Sequence, residues 1–170
     1  MIEIKGNLVL GIPKNGSQSL AAYIMGRQMP FTHKRYSEYD RPFFNVYALW
    51  RDPIDRFKSS LRFQLPNEQD RNEKIATTDA LVAKLSNDKS LFLKPQSYWL
   101  DEVPDNELVL LPFSDYENSL KYIGEALGHR LDFIPHIHET SGDINLTSAQ
   151  IDVLEDFYKE DYEYLSCLKT

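Results

Sequence analysis

The sequence has a single cysteine, Cys167, among its 170 residues. One cysteine cannot form a disulfide within the chain, so the cysteine content gives no indication of an oxidising compartment. No apolar run is long enough to span a bilayer, and the N-terminal segment lacks the apolar core of a signal peptide. These absences predict a cytoplasmic protein without a membrane segment.

The chain also has fewer basic than acidic residues. The chain carries 19 Lys and Arg against 26 Asp and Glu, a formal net charge of −7. This balance argues against a general nucleic-acid binder, which needs a basic surface for phosphate contacts. The composition, 42% hydrophobic and 26% charged, is that of an ordinary globular protein. The length predicts a single domain over residues 1–170.

The basic residues are unevenly distributed. Residues 31–63 hold seven basic and four acidic residues, a local charge of +3 within an acidic chain. Such segregation can focus positive potential on an anionic ligand. The arginines could equally be solvated or paired with neighbouring Asp residues, and charge alone favours that simpler interpretation.

The hydrophobic pattern alternates between strands and helices. Short apolar runs at residues 8–12, 44–50 and 107–111 predict buried strands. Helices are predicted from Ser17, over residues 53–63 and 74–85, from a capping box at Ser114, and from Thr147. Residues 66–72 are polar and aperiodic, which predicts a loop. The alternation predicts an α/β fold of three layers, a parallel sheet with helices on both faces.

The segment after the first predicted strand is the most informative in the chain. It reads Gly-Ile-Pro-Lys-Asn-Gly-Ser-Gln-Ser-Leu over residues 11–20. A strand that enters a helix through a glycine-containing turn offers backbone N–H groups to an anion. Lys14 adds a positive charge, and Ser17 and Ser19 add hydroxyl donors. The Walker A pattern needs lysine directly after its second glycine, but Ser17 follows Gly16, which disfavours an ATP or GTP hydrolase.

The order Pro-Lys-x-Gly-Ser-x-Ser-Leu resembles the 5′-phosphosulfate-binding loop of sulfotransferases that use 3′-phosphoadenosine 5′-phosphosulfate (PAPS), in particular the carbohydrate-type branch with its P-loop-like fold. The resemblance implies that this loop contacts PAPS through Lys14, Asn15, Gly16, Ser17, Gln18 and Ser19. Asn15 stands where the family usually has Thr or Ser. The change removes one hydroxyl contact, for which the Asn15 amide is a substitute donor.

A second motif follows the second predicted strand. Residues 51–59 read Arg-Asp-Pro-Ile-Asp-Arg-Phe-Lys-Ser and resemble the family element R-D-P-x-[ED]-R-x-x-S. The resemblance implies that Arg51 and Ser59 bind the 3′-phosphate of PAPS. Arginine suits this role because its guanidinium makes bidentate, charge-assisted bonds to phosphate. Arg-Asp-Pro alone is typical of a turn, but two such motifs in the right order, each after a strand, indicate the family.

Weaker similarity continues downstream. Residues 94–100 resemble the family stretch P-Q-x-x-[YW]-L, and residues 108–128 follow its order of strand, loop and helix. Phe113 stands where an acidic residue is common. The resemblance covers nearly the whole chain, although only the first two motifs are specific.

The implied activity is transfer of the sulfuryl group of PAPS to a hydroxyl of a carbohydrate or small-molecule acceptor. Lys14 would stabilise the leaving phosphate, so no metal is implied. His33 is the leading candidate for the base, because related enzymes often have a histidine between the two motifs and imidazole works near neutral pH. A loop histidine without catalytic function is an equal interpretation, and Glu38 or Asp40 could be the base instead.

For the other candidate residues, a structural role is a simpler explanation than metal or ligand binding. His136 and His138 form an H-x-H pair without a third ligand at a recognisable spacing, which favours a loop role over a metal site. The aromatic residues of the second predicted strand, Phe44, Tyr47 and Trp50, are expected in the core. Trp99 could lie in the core or contact an acceptor.

Two other functions remain open from the sequence. A divergent P-loop phosphotransferase would need Mg²⁺ ligands, and no Ser or Thr directly follows Lys14. A non-catalytic nucleotide- or glycan-binding relative would keep the fold without turnover. The acceptor and the oligomeric state are not specified by the sequence.

Overall fold

The computed structural model describes residues 2–27, 32–87, 90–129, 134 and 142–168. It divides the chain into two compact units. The first unit comprises Met1–Arg51 and Tyr98–Glu139, and the second comprises Asp52–Ser97 and Thr140–Thr170. The single domain expected over residues 1–170 stays a prediction.

The first unit is built on a four-stranded, mostly parallel sheet. Its strands are Ile2–Ile4 (β1), Asn7–Val9 (β2), Val46–Trp50 (β3) and Leu108–Pro112 (β4), in the order β1-β2-β3-β4. Strands β2, β3 and β4 are parallel, and they correspond to the three predicted strands. Strand β1 was not predicted; it is three residues long and pairs antiparallel with β2.

The helices in the described part of the chain are, in order, Ser17–Met25 (α1), Pro53–Gln64 (α2), Glu68–Lys74 (α3), Thr78–Asn87 (α4), Ser97–Leu100 (α5), Tyr116–Ala126 (α6), Ser148–Phe157 (α7) and Lys159–Leu168 (α8). Short 3₁₀ turns lie at Tyr36–Glu38 and Phe113–Asp115. No helix among the described residues has the length and apolar character needed to cross a membrane.

Helices α1 and α6 pack beside the sheet in the core of the first unit. This core joins Leu20 and Tyr23 of α1 to Leu120 and Ile123 of α6, together with apolar residues of the strands. Helix α1 begins at Ser17 as predicted. The capping box predicted at Ser114 is wrong, because residues Phe113–Asp115 form a 3₁₀ turn and α6 has no side-chain cap.

Helices α2, α3, α4, α7 and α8 belong to the second unit. Its core is formed by buried apolar side chains, among them Phe57, Leu61, Leu81, Leu154 and Tyr158. Helix α2 begins at Pro53 as predicted, and the Asp52 carboxylate accepts from the Asp55 backbone N–H at 2.9 Å. The predicted capping box of Thr147 and Gln150 opens α7. The final helix, predicted as one, is two helices that divide near Tyr158.

Two expectations about individual segments are wrong. Residues 66–72 were expected to be a loop, but most of them lie in α3. Tyr47 and Trp50 are buried as expected, whereas the Phe44 side chain is 77% exposed. The Phe44 ring lies over Gly6, so close that a Cβ at Gly6 would be 2.7 Å from Phe44 Cε2. Phe44 thus precedes β3 and covers the turn between β1 and β2 instead of entering the core.

Candidate functional site

The candidate site lies at the carboxyl edge of the three parallel strands. The loop 11–16 follows β2, Arg51 follows β3, and Phe113 follows β4. Carboxyl ends of parallel strands meet at one edge of a sheet, which is where ligands bind in open α/β folds. The structure brings two predicted site residues into contact there, because Arg51 Nη1 donates to the Lys14 carbonyl at 3.2 Å.

The loop after β2 is fixed by its own backbone and by β3. Asn15 N donates to the Ile12 carbonyl at 3.2 Å, and Lys14 and Gly16 have positive φ angles of 67° and 72°. The Asn15 side chain is 2% exposed, and its Nδ2 donates to the Leu49 carbonyl at 2.7 Å. The resemblance to the PAPS-binding loop implies that this amide contacts the cofactor. In the structure it uses one of its hydrogens to attach the loop to β3.

The N-terminus of α1 presents backbone donors beside this loop. The first bond within the helix runs from Leu20 N to the Gly16 carbonyl at 2.8 Å, and no side chain caps the helix. The N–H groups of Ser17, Gln18 and Ser19 therefore have no acceptor within the helix itself. Together with the helix dipole they form an arrangement that can bind an anion.

Two aromatic rings pack against Gly16. A Cβ at Gly16 would lie 2.7 Å from Tyr116 Cε2 and 3.1 Å from Phe113 Cε2, so only glycine admits these rings. Burial raises the pKa of the Tyr116 hydroxyl, and the nearby Ser19 side chain opposes that rise. The sequence did not indicate this packing. The position of Phe113 directly after a parallel strand is the feature that could have predicted it.

Lys14 and Arg51 are two cations held close together. Burial and the neighbouring Arg51 lower the pKa of Lys14 to about 8. The Arg51 guanidinium lies over the Phe113 ring, 4.5 Å from its centroid, a cation–π contact. Because like charges disfavour each other, an anionic ligand bound beside both cations would relieve the repulsion. The donor set therefore fits a phosphate- or sulfate-bearing ligand.

His33 is held beside the same loop. Its Nδ1 lies 2.6 Å from the Gly11 carbonyl oxygen. A carbonyl only accepts hydrogen bonds, so Nδ1 carries the hydrogen and Nε2 of the neutral ring is the acceptor nitrogen. Burial lowers the pKa of His33, which favours the neutral imidazole. A neutral ring with an acceptor nitrogen is the form that a general base requires.

The two alternative candidates for the base, Glu38 and Asp40, are exposed carboxylates. Glu38 is exposed, and its Oε1 accepts from the Arg35 backbone N–H at 2.8 Å, which closes the 3₁₀ turn Tyr36–Glu38. Asp40 is exposed as well. Neither finding tests the choice of base, so His33, Glu38 and Asp40 all stay predictions.

The remaining predicted residues lie elsewhere. Ser59 is a buried residue of α2 in the second unit, and its pairing with Arg51 stays a prediction. His136 and His138 lie outside the described residues. Within the described ranges no group of three or more His, Cys, Asp or Glu is arranged to hold a metal ion.

Most arginines of the basic stretch have structural partners. Arg35 pairs with Asp101, and Arg41 pairs with Glu3. Arg56 is fully buried and donates to backbone carbonyls of the second unit. The simpler interpretation therefore applies to Arg35, which is paired with an Asp, while Arg41 is paired with a Glu and Arg56 is neither solvated nor, among the described residues, paired with an Asp.

The fold is similar to that of a solved structure, the crystal structure of a sulfotransferase from Alicyclobacillus acidocaldarius. The TM-score is 0.51 at 13% sequence identity, and the match covers 98% of this chain and 96% of that chain. The sequence matches no protein-family model and no curated protein. At this identity the likeness shows the fold alone, a mixed α/β fold of the kind found in that sulfotransferase.

Proposed function

We propose that the protein is a PAPS-dependent sulfotransferase that transfers a sulfuryl group to a hydroxyl of a carbohydrate or small-molecule acceptor. The observation that carries the proposal is the bond from Arg51 Nη1 to the Lys14 main-chain carbonyl, 3.2 Å long, which attaches the residue after β3 to the loop before α1. The likeness of the fold to a sulfotransferase supports it. We also propose that this chain has the three-layer, P-loop-like α/β fold of PAPS-dependent sulfotransferases.

The proposed cofactor contacts follow the two motifs. The loop binds the 5′-phosphosulfate through the Lys14 ammonium and the backbone N–H groups of Gly16, Ser17, Gln18 and Ser19. Asn15 holds the loop on β3 through its bond to Leu49. Arg51 and, as the motif predicts, Ser59 are the proposed contacts of the 3′-phosphate. An arginine that already packs on the Phe113 ring loses less side-chain entropy on binding a phosphate.

The reaction breaks the bond between sulfur and a phosphate oxygen of PAPS and forms a bond from sulfur to the acceptor oxygen. The Lys14 ammonium stabilises negative charge at the phosphate oxygen that leaves. With a pKa of about 8 it is charged at pH 7, and a bound anion holds its proton more firmly. His33 Nε2 accepts the proton of the acceptor hydroxyl, a role that contributes roughly 10²–10⁴-fold to the rate.

Thermal shift separates this proposal from a P-loop phosphotransferase. We expect 3′,5′-ADP to raise the melting temperature without added metal, and Mg-ATP to leave it unchanged. At a hundredfold excess over Kd, a ligand specific for the folded state adds about 2.7 kcal/mol to its stability. Stabilisation by Mg-ATP together with no effect of 3′,5′-ADP would contradict the sulfotransferase proposal.

Transfer of label separates an enzyme from a binding protein. Radiolabelled PAPS is incubated with a panel of hydroxyl acceptors, and we expect at least one labelled product. Lys14→Ala should abolish transfer. His33→Ala should reduce it by roughly 10² or more and leave 3′,5′-ADP binding intact. Binding of 3′,5′-ADP with no transfer to any acceptor would indicate a non-catalytic relative.

If turnover in His33→Ala equals that of the wild type, His33 is not the base. The conservative variants Glu38→Gln and Asp40→Asn then identify which carboxylate takes the proton.

A further inference from the structure

Arg35 makes three different contacts with one short segment of the first unit, residues 98–101. Its Nε donates to the Tyr98 carbonyl at 3.3 Å, and its guanidinium lies 4.6 Å from the centroid of the Tyr98 ring. It also forms an ion pair with the Asp101 carboxylate. An exposed ion pair alone contributes little. A hydrogen bond, a ring contact and an ion pair on neighbouring residues together define one position for the side chain.

The backbone of Arg35 is fixed as well. Its N–H donates to Glu38 Oε1 at 2.8 Å and closes the 3₁₀ turn Tyr36–Glu38. Arg35 is two residues after His33. The chain that carries the imidazole is therefore attached to residues 98–101 immediately beyond the histidine.

The same segment, residues 98–101, also contacts the His33 imidazole directly. The Trp99 ring contacts the His33 ring edge to face, with centroids 5.9 Å apart and an interplanar angle of 61°. Trp99 is 1% exposed, so its position is set by packing. The imidazole thus meets Trp99 on its ring and the Gly11 carbonyl at Nδ1, 2.6 Å away.

We infer that Arg35 is a positioning residue for His33. Its contacts with Tyr98 and Asp101 hold the histidine loop on the segment that carries Trp99, and so keep Nδ1–H on the Gly11 carbonyl. Nε2 is then always the nitrogen that accepts a proton. The catalytic meaning of this arrangement rests on the proposed function, but the arrangement itself does not.

The tautomer of His33 tests the inference without any activity. In ¹⁵N-labelled protein, ¹⁵N chemical shifts near neutral pH distinguish a protonated Nδ1 from a protonated Nε2, and His33→Gln identifies the His33 signals. We expect one tautomer, protonated at Nδ1, in the wild type. In Arg35→Gln we expect shifts averaged between the two tautomers. Asp101→Asn, a change at an exposed residue, should give the same result.

Arg41→Gln is the matched control. Arg41 also pairs with a carboxylate, that of Glu3, and lies 5.5 Å from the centroid of the Phe43 ring. The substitution removes the same kind of contact at another place in the first unit, and it should leave the His33 shifts unchanged.

Activity gives an independent readout. Arg35→Gln should lower kcat about tenfold, because a displaced base costs rate, and leave KM for PAPS and stabilisation by 3′,5′-ADP nearly unchanged. Arg35→Lys, which keeps the ion pair with Asp101, should recover part of the loss.

The two proposals fail in different ways. Wild-type His33 shifts in folded Arg35→Gln would overturn the positioning role, whatever the enzyme transfers. Absence of transfer by the wild type, with an altered tautomer in Arg35→Gln, would overturn the proposed function and support the positioning role.

Discussion

Gly16 is the residue at which backbone conformation and packing coincide in the site. Its φ of 72° costs any other residue about 1–2 kcal/mol, and a Cβ would also meet the rings of Tyr116 and Phe113. We therefore expect Gly16→Ala to lower the free energy of unfolding by both contributions. Urea denaturation followed by circular dichroism measures the loss.

Gly26, at the other end of α1, is the matched control. Its φ is 66°, and a Cβ there would meet nothing within 4 Å. Gly26→Ala should therefore lose only the conformational part, and Gly16→Ala should lose about 1–3 kcal/mol more because of the crowded rings. Equal losses in the two variants would show that the rings move away at little cost.

Lys14 makes the stability of the free protein depend on pH. Its pKa is about 8 in the folded state and 10.5 in the unfolded state. Between these values the unfolded chain holds more protons, so the free energy of unfolding rises with pH from about 8 to 10.5. Below this window both states are protonated, and the cost of burying the charge is fully present. We expect Lys14→Met to be more stable than the wild type at pH 7.

Urea denaturation across this pH range tests the expectation. Burial raises the pKa of tyrosines such as Tyr47 and Tyr116, which lowers stability at the alkaline end. These residues are common to both proteins, so the difference between wild type and Lys14→Met reports Lys14. That difference should shrink as pH rises from 8 towards 10.5. A difference that stays constant with pH would contradict the lowered pKa.

Helix α2 holds a neighbouring segment of the second unit through Arg56. The side chain is fully buried, and its guanidinium donates to the Phe92 carbonyl at 3.1 Å and to the Lys94 carbonyl. Removing it takes the guanidinium donors away from both carbonyls and leaves the space of a fully buried side chain to be filled. We expect Arg56→Met to lower the free energy of unfolding by about 3 kcal/mol, measured by urea denaturation.

Two variants on the same helix calibrate that loss. Ser60 donates its hydroxyl to the same Phe92 carbonyl at 2.9 Å, so Ser60→Ala should cost about 1 kcal/mol. Lys58 is only half-buried, and Lys58→Met should change stability by less than about 0.5 kcal/mol. A loss in Arg56→Met no larger than in Lys58→Met would mean that the guanidinium does not support the segment.

The elements that could be predicted from sequence are those with local determinants. Helix α7 has its capping box of Thr147 and Gln150, and α2 has Asp52 and Pro53 at its start. Helix α3 could not be predicted, because its seven residues, EQDRNEK, include no apolar residue and so lack a hydrophobic period. The structure supports it by other means, since Arg71 donates to the Leu65 and Pro66 carbonyls at 2.9 and 2.7 Å.

Some residues of the candidate site could likewise be predicted from the sequence, and others could not. Lys14 and Arg51 were predicted to serve one ligand because their two motifs resemble those of PAPS-binding sulfotransferases and each follows a predicted strand. The contact of His33 with Trp99 joins residues far apart in sequence, and no local pattern indicates it. The same holds for Arg35, whose bonds to Tyr98 and Asp101 depend on the tertiary fold.

The charge of the whole molecule bears on the acceptor. The chain carries a net charge of −7, and Arg35 and Arg41 are already paired with carboxylates. The Arg51 guanidinium contacts the Lys14 main chain and lowers the pKa of the Lys14 ammonium, so both residues lie close enough to serve one small anionic ligand. A long polyanion would be repelled by the acidic chain over distances up to the Debye length, about 8 Å at physiological ionic strength. A small, uncharged acceptor suits this charge distribution better than a sulfated glycan.

We therefore expect the protein to pass through a heparin column at physiological ionic strength and to bind an anion-exchange column at low salt. Heparin should also fail to displace 3′,5′-ADP and should not accept label from PAPS, whereas an uncharged acceptor should. The anion-exchange step is the control, because it shows that the protein is folded and carries its expected charge. Retention on heparin, or displacement of 3′,5′-ADP by heparin, would show that paired arginines such as Arg35 and Arg41 exchange their carboxylates for sulfates. The acceptor would then be sought among polyanionic glycans.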